Sequence, residues 1–241
     1  MTPFVDIRRA EDRGVTSTDW LDSRHSFSFG DYYDPANTHH GLLLVNNDDR
    51  VAPGTGFDTH PHRDMEIVTW VLDGSLSHQD SMGNSGLIYP GLAQRMSAGS
   101  GVLHSERNES PDVPVHFVQM WVIPDETGIA PEYQQLEIND ALLDGGLITI
   151  ASGSTDDAAI TIHNKRAALH GARLEPGAAV EVPDAPFVHL FVPRGEVTLE
   201  GVGPLHEGDA VRLTASGGRR VTAVEPSEIL VWEMHADLSG A

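Results

Sequence analysis

Two short segments, Gly54-Thr-Gly-Phe-Asp-Thr-His60-Pro-His62-Arg-Asp-Met-Glu66 and Gly101-Val-Leu-His104-Ser-Glu106, constrain this chain more than anything else in it. The first carries two imidazoles at i and i+2, the second an imidazole and a carboxylate at the same spacing. Alternate side chains of an extended strand leave one face, so each pair can reach a single point. Two such strands set against each other gather three histidines and one carboxylate, a donor set for a metal ion. A lone His-x-His also occurs on ordinary half-exposed strands; the second pair at matching spacing is what makes a site of it.

The flanking residues support strands. Val51-Ala-Pro-Gly-Thr-Gly56 is turn chemistry leading into the first pair. Ile67-Val-Thr-Trp-Val-Leu72 reads as a largely buried strand ended by Asp73-Gly74. Ser97-Ala-Gly-Ser-Gly101 is a bend in which backbone can approach backbone. Pro61 cannot donate to a ladder, which puts its strand at an edge or bulge, where an open coordination position belongs.

Further strands are expected over residues 4–8, over 25–29 with the aromatics on one face, and over 41–45, the last closed by an Asn46-Asn-Asp-Asp49 turn. Residues 74–80 and 85–91 form a hairpin around Met82-Gly-Asn84, and 115–123 completes a sheet. Pro124 to Pro131 is rich in breakers and divides the chain into 1–123 and 124–241. Beyond that linker the chain repeats itself. Glu66 to Gly74 lies on Phe187 to Gly195, and Tyr89 to Ser97 on His206 to Thr214, with apolar and glycine positions coinciding. His60, His62 and Glu66 then fall on Glu181, Pro183 and Phe187, and His104 and Glu106 on Val221 and Ala223. The second unit is therefore expected to hold no metal and to cover the first.

Gly54-x5-His60-x-His62-x3-Glu66 followed by Gly101-x2-His104-x3-Asn108 resembles the two motifs of the cupin superfamily. More narrowly, Ser26-Phe-Ser-Phe-Gly-Asp-Tyr-Tyr-Asp-Pro35, His60 to Glu66 and Gly101 to Glu106 resemble a pirin. The resemblance implies an all-β fold of two tandem cupin-type jelly-roll barrels with few short helices. It implies one divalent metal, Fe(II) by expectation with Mn, Ni, Cu and Zn compatible, on the residues matching His60, His62, His104 and Glu106. Many other cupins use the carboxylate matching Glu66, and spacing alone does not choose between the two acids. Glu106 is chosen on the resemblance and because it shares a strand face with His104. Glu66, four residues past His62, is then expected to orient a ligand histidine from outside the donor set.

The same resemblance implies quercetin 2,3-dioxygenase activity: opening of a flavonol heterocycle with O2, with release of carbon monoxide and a depside. Glu106 would also be the catalytic base that takes the substrate hydroxyl proton. Phe27, Phe57, Met96 and Trp121 are candidate pocket walls. Some pirins instead act as regulators on protein partners, with turnover incidental, and the donor set by itself also admits a metal-dependent isomerase or hydrolase.

The chain has no cysteine, which removes disulfides, thiolate metal sites and cysteine nucleophiles together. Fifteen Lys and Arg against 36 Asp and Glu give a net charge of −21, spread along the chain, which disfavours nucleic acid and anionic lipid as partners. No stretch approaches the ~20 apolar residues of a membrane span. The start lacks the apolar core of a signal peptide, so a cytoplasmic location is expected. No Gly-x-Ser-x-Gly elbow or phosphate-binding loop is present. The other histidines, His78 among them, lack a matching second pair and read as surface or core residues.

Overall fold

Alternation of apolar and polar residues becomes strand almost everywhere in the computed structural model, which describes residues 1–239. The first half holds β1 (Phe4–Arg8), β2 (Gly14–Ser17), β3 (Leu21–His25), β4 (Leu43–Val51), β5 (Gly56–His62), β6 (Glu66–Asp73), β7 (Leu76–Asp80), β8 (Ser85–Ile88), β9 (Leu92–Ser97), β10 (Val102–Arg107) and β11 (Val115–Val122), and β12 (Glu132–Glu137) opens the second half. The second half holds β13 (Ile148–Ser152), β14 (Ile160–Thr161), β15 (Ala167–Leu174), β16 (Ala179–Glu181), β17 (Phe187–Arg194), β18 (Val197–Leu199), β19 (Gly203–Leu205), β20 (Ala210–Thr214), β21 (Arg220–Ala223) and β22 (Ser227–Met234). A 3-10 turn at Ala10–Asp12 and the five-residue helix α1 at Asn139–Leu143 are the helical elements among the described residues. No helix among the described residues is long and apolar enough to cross a membrane.

Each half closes a seven-stranded sheet over a four-stranded one. In front these run β12-β9-β6-β11-β4-β3-β2 and β5-β10-β7-β8; behind, β1-β20-β17-β22-β15-β13-β14 and β16-β21-β18-β19. This is the expected all-β pair of barrels. Two strands reach across: β1 pairs with β20 in the rear sheet, and β12 pairs with β9 in the front sheet.

The two seven-stranded sheets pack against each other. Val68, Trp70 and Leu72 of β6 point into this shared core with Phe191, Leu230 and Trp232, while Val71 points into the front barrel beside Leu76 and Phe117. A strand apolar on both faces is what the continuous run 67–72 demands. Each fully buried Phe or Leu here contributes roughly 1.5–3 kcal/mol. The Trp70 indole N–H donates to Glu228, and that of Trp232 points at the Met120 sulfur at 3.3 Å, so each sheet's tryptophan reaches into the other half.

Two strand expectations are corrected. Asn46 to Asp49 form no turn: β4 runs through them, paired with Met120, Gln119, Val118 and Phe117 of β11. Their side chains are buried but partnered, Asn46 by Ser26, Asn47 by His25, Asp48 by Arg13 and His116, and Asp49 by Ser23. The strand expected over 25–29 does not form: β3 covers Leu21–His25 and stops where that strand would begin. Phe27 and Phe29 then diverge, Phe27 toward His189 and Arg212 in the inter-barrel core and Phe29 edge-on to Trp121.

The internal repeat is visible at two glycines. Gly74 and Gly195 both have positive φ, 73° and 78°, and a Cβ on them would meet the carbonyls of Pro114 and Pro226. Each ends a central strand, β6 or β17, against the chain entering its neighbour, β11 or β22.

Candidate metal centre

β5 is the edge strand of the front four-stranded sheet, where the missing N–H of Pro61 costs nothing. Its partner β10 sets His60 opposite His104 and Pro61 opposite Leu103, then slips by a bulge so that Phe57 faces Glu106. Gly56 makes the close crossing feasible, since a Cβ there would run into the Glu106 carbonyl. The imidazoles of His60, His62 and His104 converge, with ring centroids 4.5–4.8 Å apart.

Their protons fit a metal. His60 Nδ1 lies 2.7 Å from the Asp58 carbonyl, to which it can only donate, leaving the lone pair on Nε2. That Nε2 is 3.0 Å from Nε2 of His104, and the buried Nε2 of His62 has no partner among the described residues. Three ring nitrogens that face one another as lone-pair acceptors lack a donor, and a single cation satisfies them. Burial pushes the His62 imidazole down to about 4, with His60 adding to the effect. Burial, followed by the neighbouring His60, His62 and His78, pushes His104 down to about 2. Neutral imidazole is the ligating form.

Glu106 is buried two residues beyond His104. Gln119 donates its amide to both carboxylate oxygens, at 2.9 and 3.0 Å, and accepts in turn from the Trp121 indole. Burial raises the Glu106 carboxyl to about 7, against the lowering effect of Gln119. Two clusters able to hold an ion share His104: His60, His62 and His104 on one side, and His78, His104 and Glu106 on the other.

Glu66 departs from expectation. The backbone turns sharply between β5 and β6, with Asp64 at φ 48°, and Glu66 leaves the site altogether. Its Oε2 accepts from Ser97 Oγ at 2.8 Å and from the His163 backbone at 3.0 Å, so it ties a loop of the rear half to the front sheet and orients no imidazole among the described residues. His78, read as an ordinary core residue, is instead packed beside His104, with ring centroids 5.3 Å apart. The legible signal was His78-x-Asp80, the spacing that marks the other pairs.

A cavity of about 570 Å³ opens above His60, His62 and Glu106. Trp20 and Phe57 wall one side in an edge-to-face pair and Phe29 and Trp121 another. Phe27 and Met96, expected as walls, lie instead in core clusters. A polar strip from β3 and β4 completes the lining with Ser23, His25, Asn47 and Asp49. Burial raises the Asp49 carboxyl to about 7, with Ser23 opposing and Asp48 and Glu106 adding to the rise.

Residues 7–122 match the Pirin family model, and residues 149–234 match that of the quercetinase C-terminal cupin domain. A Mycobacterium tuberculosis protein, provisionally named a quercetin 2,3-dioxygenase, is 70% identical over 239 residues, covering 99% of this chain and 98% of its own. The quercetin 2,3-dioxygenase of Escherichia coli K12 is 38% identical over 232 residues, covering 96% and 99%. Among solved structures, the bacterial pirin YhhW of Escherichia coli in complex with nickel(II) superposes with a TM-score of 0.89 at 35% identity, over 98% of this chain and 100% of that one.

Proposed function

This chain belongs to the pirin family, and from that premise we propose that it is a metal-dependent dioxygenase opening the heterocycle of flavonols such as quercetin with O2. The observation that carries the reading is the convergence of three imidazoles, with Nε2 of His60 and His104 3.0 Å apart and the buried Nε2 of His62 without a partner among the described residues, at the foot of an aromatic-walled cavity. His60, His62, His104 and Glu106 would hold the ion, and a nitrogen and oxygen donor set without thiolate suits Fe(II). When bound, the metal supplies a Lewis acid for the substrate's enolate oxygen and the redox partner that O2 requires.

The chain's own residues do the rest. Trp20 with Phe57, and Phe29 with Trp121, present flat apolar surfaces that hold planar rings and exclude water. Glu106 takes the flavonol hydroxyl proton on a carboxylate oxygen. Gln119 holds that carboxylate in place through both oxygens. The metal centre belongs to residues 1–123. Residues 124–241 form a barrel without ligands, where Val221 and Ala223, the counterparts of His104 and Glu106, lie in an apolar core.

Purified protein reconstituted with Fe(II) is expected to consume O2 with quercetin and release carbon monoxide. His62→Ala is expected to lose bound metal and turnover together, by at least 100-fold in kcat/KM, about 3 kcal/mol. Normal turnover by His62→Ala would refute the ligand assignment.

A further inference from the structure

β7 lies beside β10 and carries His78 and Asp80 at i and i+2, on one face. In the register between the two strands, Asp80 is opposite His104 and His78 is opposite Glu106. His78 Nδ1 thereby comes 3.5 Å from His104 Nδ1, and His78 Nε2 lies 3.3 Å from Asp80 Oδ2. The side chains of His78 and Asp80 are both 1% exposed. The Tyr133 ring, from β12, lies against His78 with centroids 4.9 Å apart and fixes its plane.

The proton positions follow in sequence. Asp80 Oδ1 accepts from the Met82 and Asn84 backbone N–H groups, and Oδ2 accepts from the Asn84 amide, so the carboxylate acts as an acceptor throughout. His78 must then donate from Nε2, which leaves its Nδ1 a lone pair. Facing that lone pair, His104 must carry its own proton on Nδ1. Its Nε2 is therefore the unprotonated atom, and Nε2 is the one aimed at His60.

We infer that Asp80 and His78 are positioning residues that hold His104 in the tautomer able to ligate through Nε2. The chain runs from the β7–β8 loop through two imidazoles to the ion. The inference rests on the proposal above that His104 is a ligand, and neither partner touches substrate. Outer partners of this kind fix ligand orientation, and their loss typically weakens metal binding about 10–100-fold.

Asp80→Asn tests this with a side chain of the same size. The Met82 and Asn84 N–H groups, with the Asn84 amide 3.2 Å from Oδ1, keep the amide oxygen where Oδ1 stands, so the Asn84 amide gives up its bond at Oδ2 and the new NH2 there points at His78 Nε2. His78 must then protonate at Nδ1, and His104 is driven to carry its proton on Nε2, where the metal should sit. Ni(II) affinity, measured by chelator competition on the full chain, is expected to fall about 10–100-fold. The melting temperature of the metal-free protein should stay within a few degrees. His78→Asn, whose amide oxygen can stand in for Nδ1 as acceptor, should retain more affinity than His78→Leu.

The ¹⁵N shifts of the imidazole nitrogens in metal-free protein give a second readout. They should report His104 protonated at Nδ1 in the unsubstituted chain and at Nε2 in Asp80→Asn. Unchanged Ni(II) affinity and an unchanged His104 tautomer in Asp80→Asn would overturn the relay. Should the unsubstituted protein bind no Ni(II), the metal assignment fails, and the tautomer measurement still decides the relay by itself.

Discussion

Asp49 is the residue where burial and charge conflict most openly. It sits within the front barrel with one oxygen accepting from Ser23, and burial raises its carboxyl from the usual 3.8 to about 7. A carboxyl that binds its proton more tightly when folded adds stability fully present below about pH 4. That stability is lost as pH rises through about 7. Asp49→Asn keeps an acceptor for Ser23 and has no charge to bury. In metal-free protein its stability relative to the unsubstituted chain is expected to rise between pH 4 and 8 by on the order of 1–4 kcal/mol, read from urea unfolding at each pH. A pH-independent difference would show that Asp49 is ionised in the fold at no cost. At this scale the sequence disclosed the histidines of the site because they are paired at strand spacing. It hid the polar strip, because Asn46 to Asp49 look like a turn until the partners that neutralise their burial are brought in: Arg13, Ser23, His25 and Ser26 from in and around β2 and β3, and His116 from β11.

Strands are where local pattern and tertiary demand agree best. The run of β6 is apolar on both faces because it separates two cores, and β5 tolerates Pro61 because it is an edge. Failures fall where an element's end depends on something distant. β3 stops at His25 because the next residues are needed on opposite sides, Phe27 against the rear barrel and Phe29 at the cavity mouth. Glu66 shows the same limit: a count of four residues from His62 cannot reveal the turn at Asp64 that sends it elsewhere. The repeat can be tested on its two matched glycines. Gly74→Ala and Gly195→Ala each add a Cβ at positive φ against a carbonyl, so each is expected to cost about 1–3 kcal/mol. Thermal melts should show similar losses for both, since both close equivalent turns. A cost confined to one of them would show that the halves close differently.

The whole molecule is two barrels joined back to back by their larger sheets, with β1 and β12 each contributing to the other half's territory. That arrangement leaves the four-stranded sheets outermost, and the front one carries His60, His62, His78, His104 and Glu106. In the rear one Val221 pairs with Val180, one place from the Glu181 that the alignment set on His60, and apolar side chains fill the corresponding space. The repeat, the two-barrel plan and the convergence of His60, His62 and His104 were legible because they are local or periodic. The exchange of strands and the route from Asp80 to His104 were not, since they depend on register between strands distant in sequence. The most direct test is to locate the ion in crystals of Ni(II)-loaded protein by anomalous diffraction at the nickel edge. One ion per chain is predicted, bound by Nε2 of His60, His62 and His104 with the Glu106 carboxylate. An ion at His78, or in the rear barrel, would contradict the account.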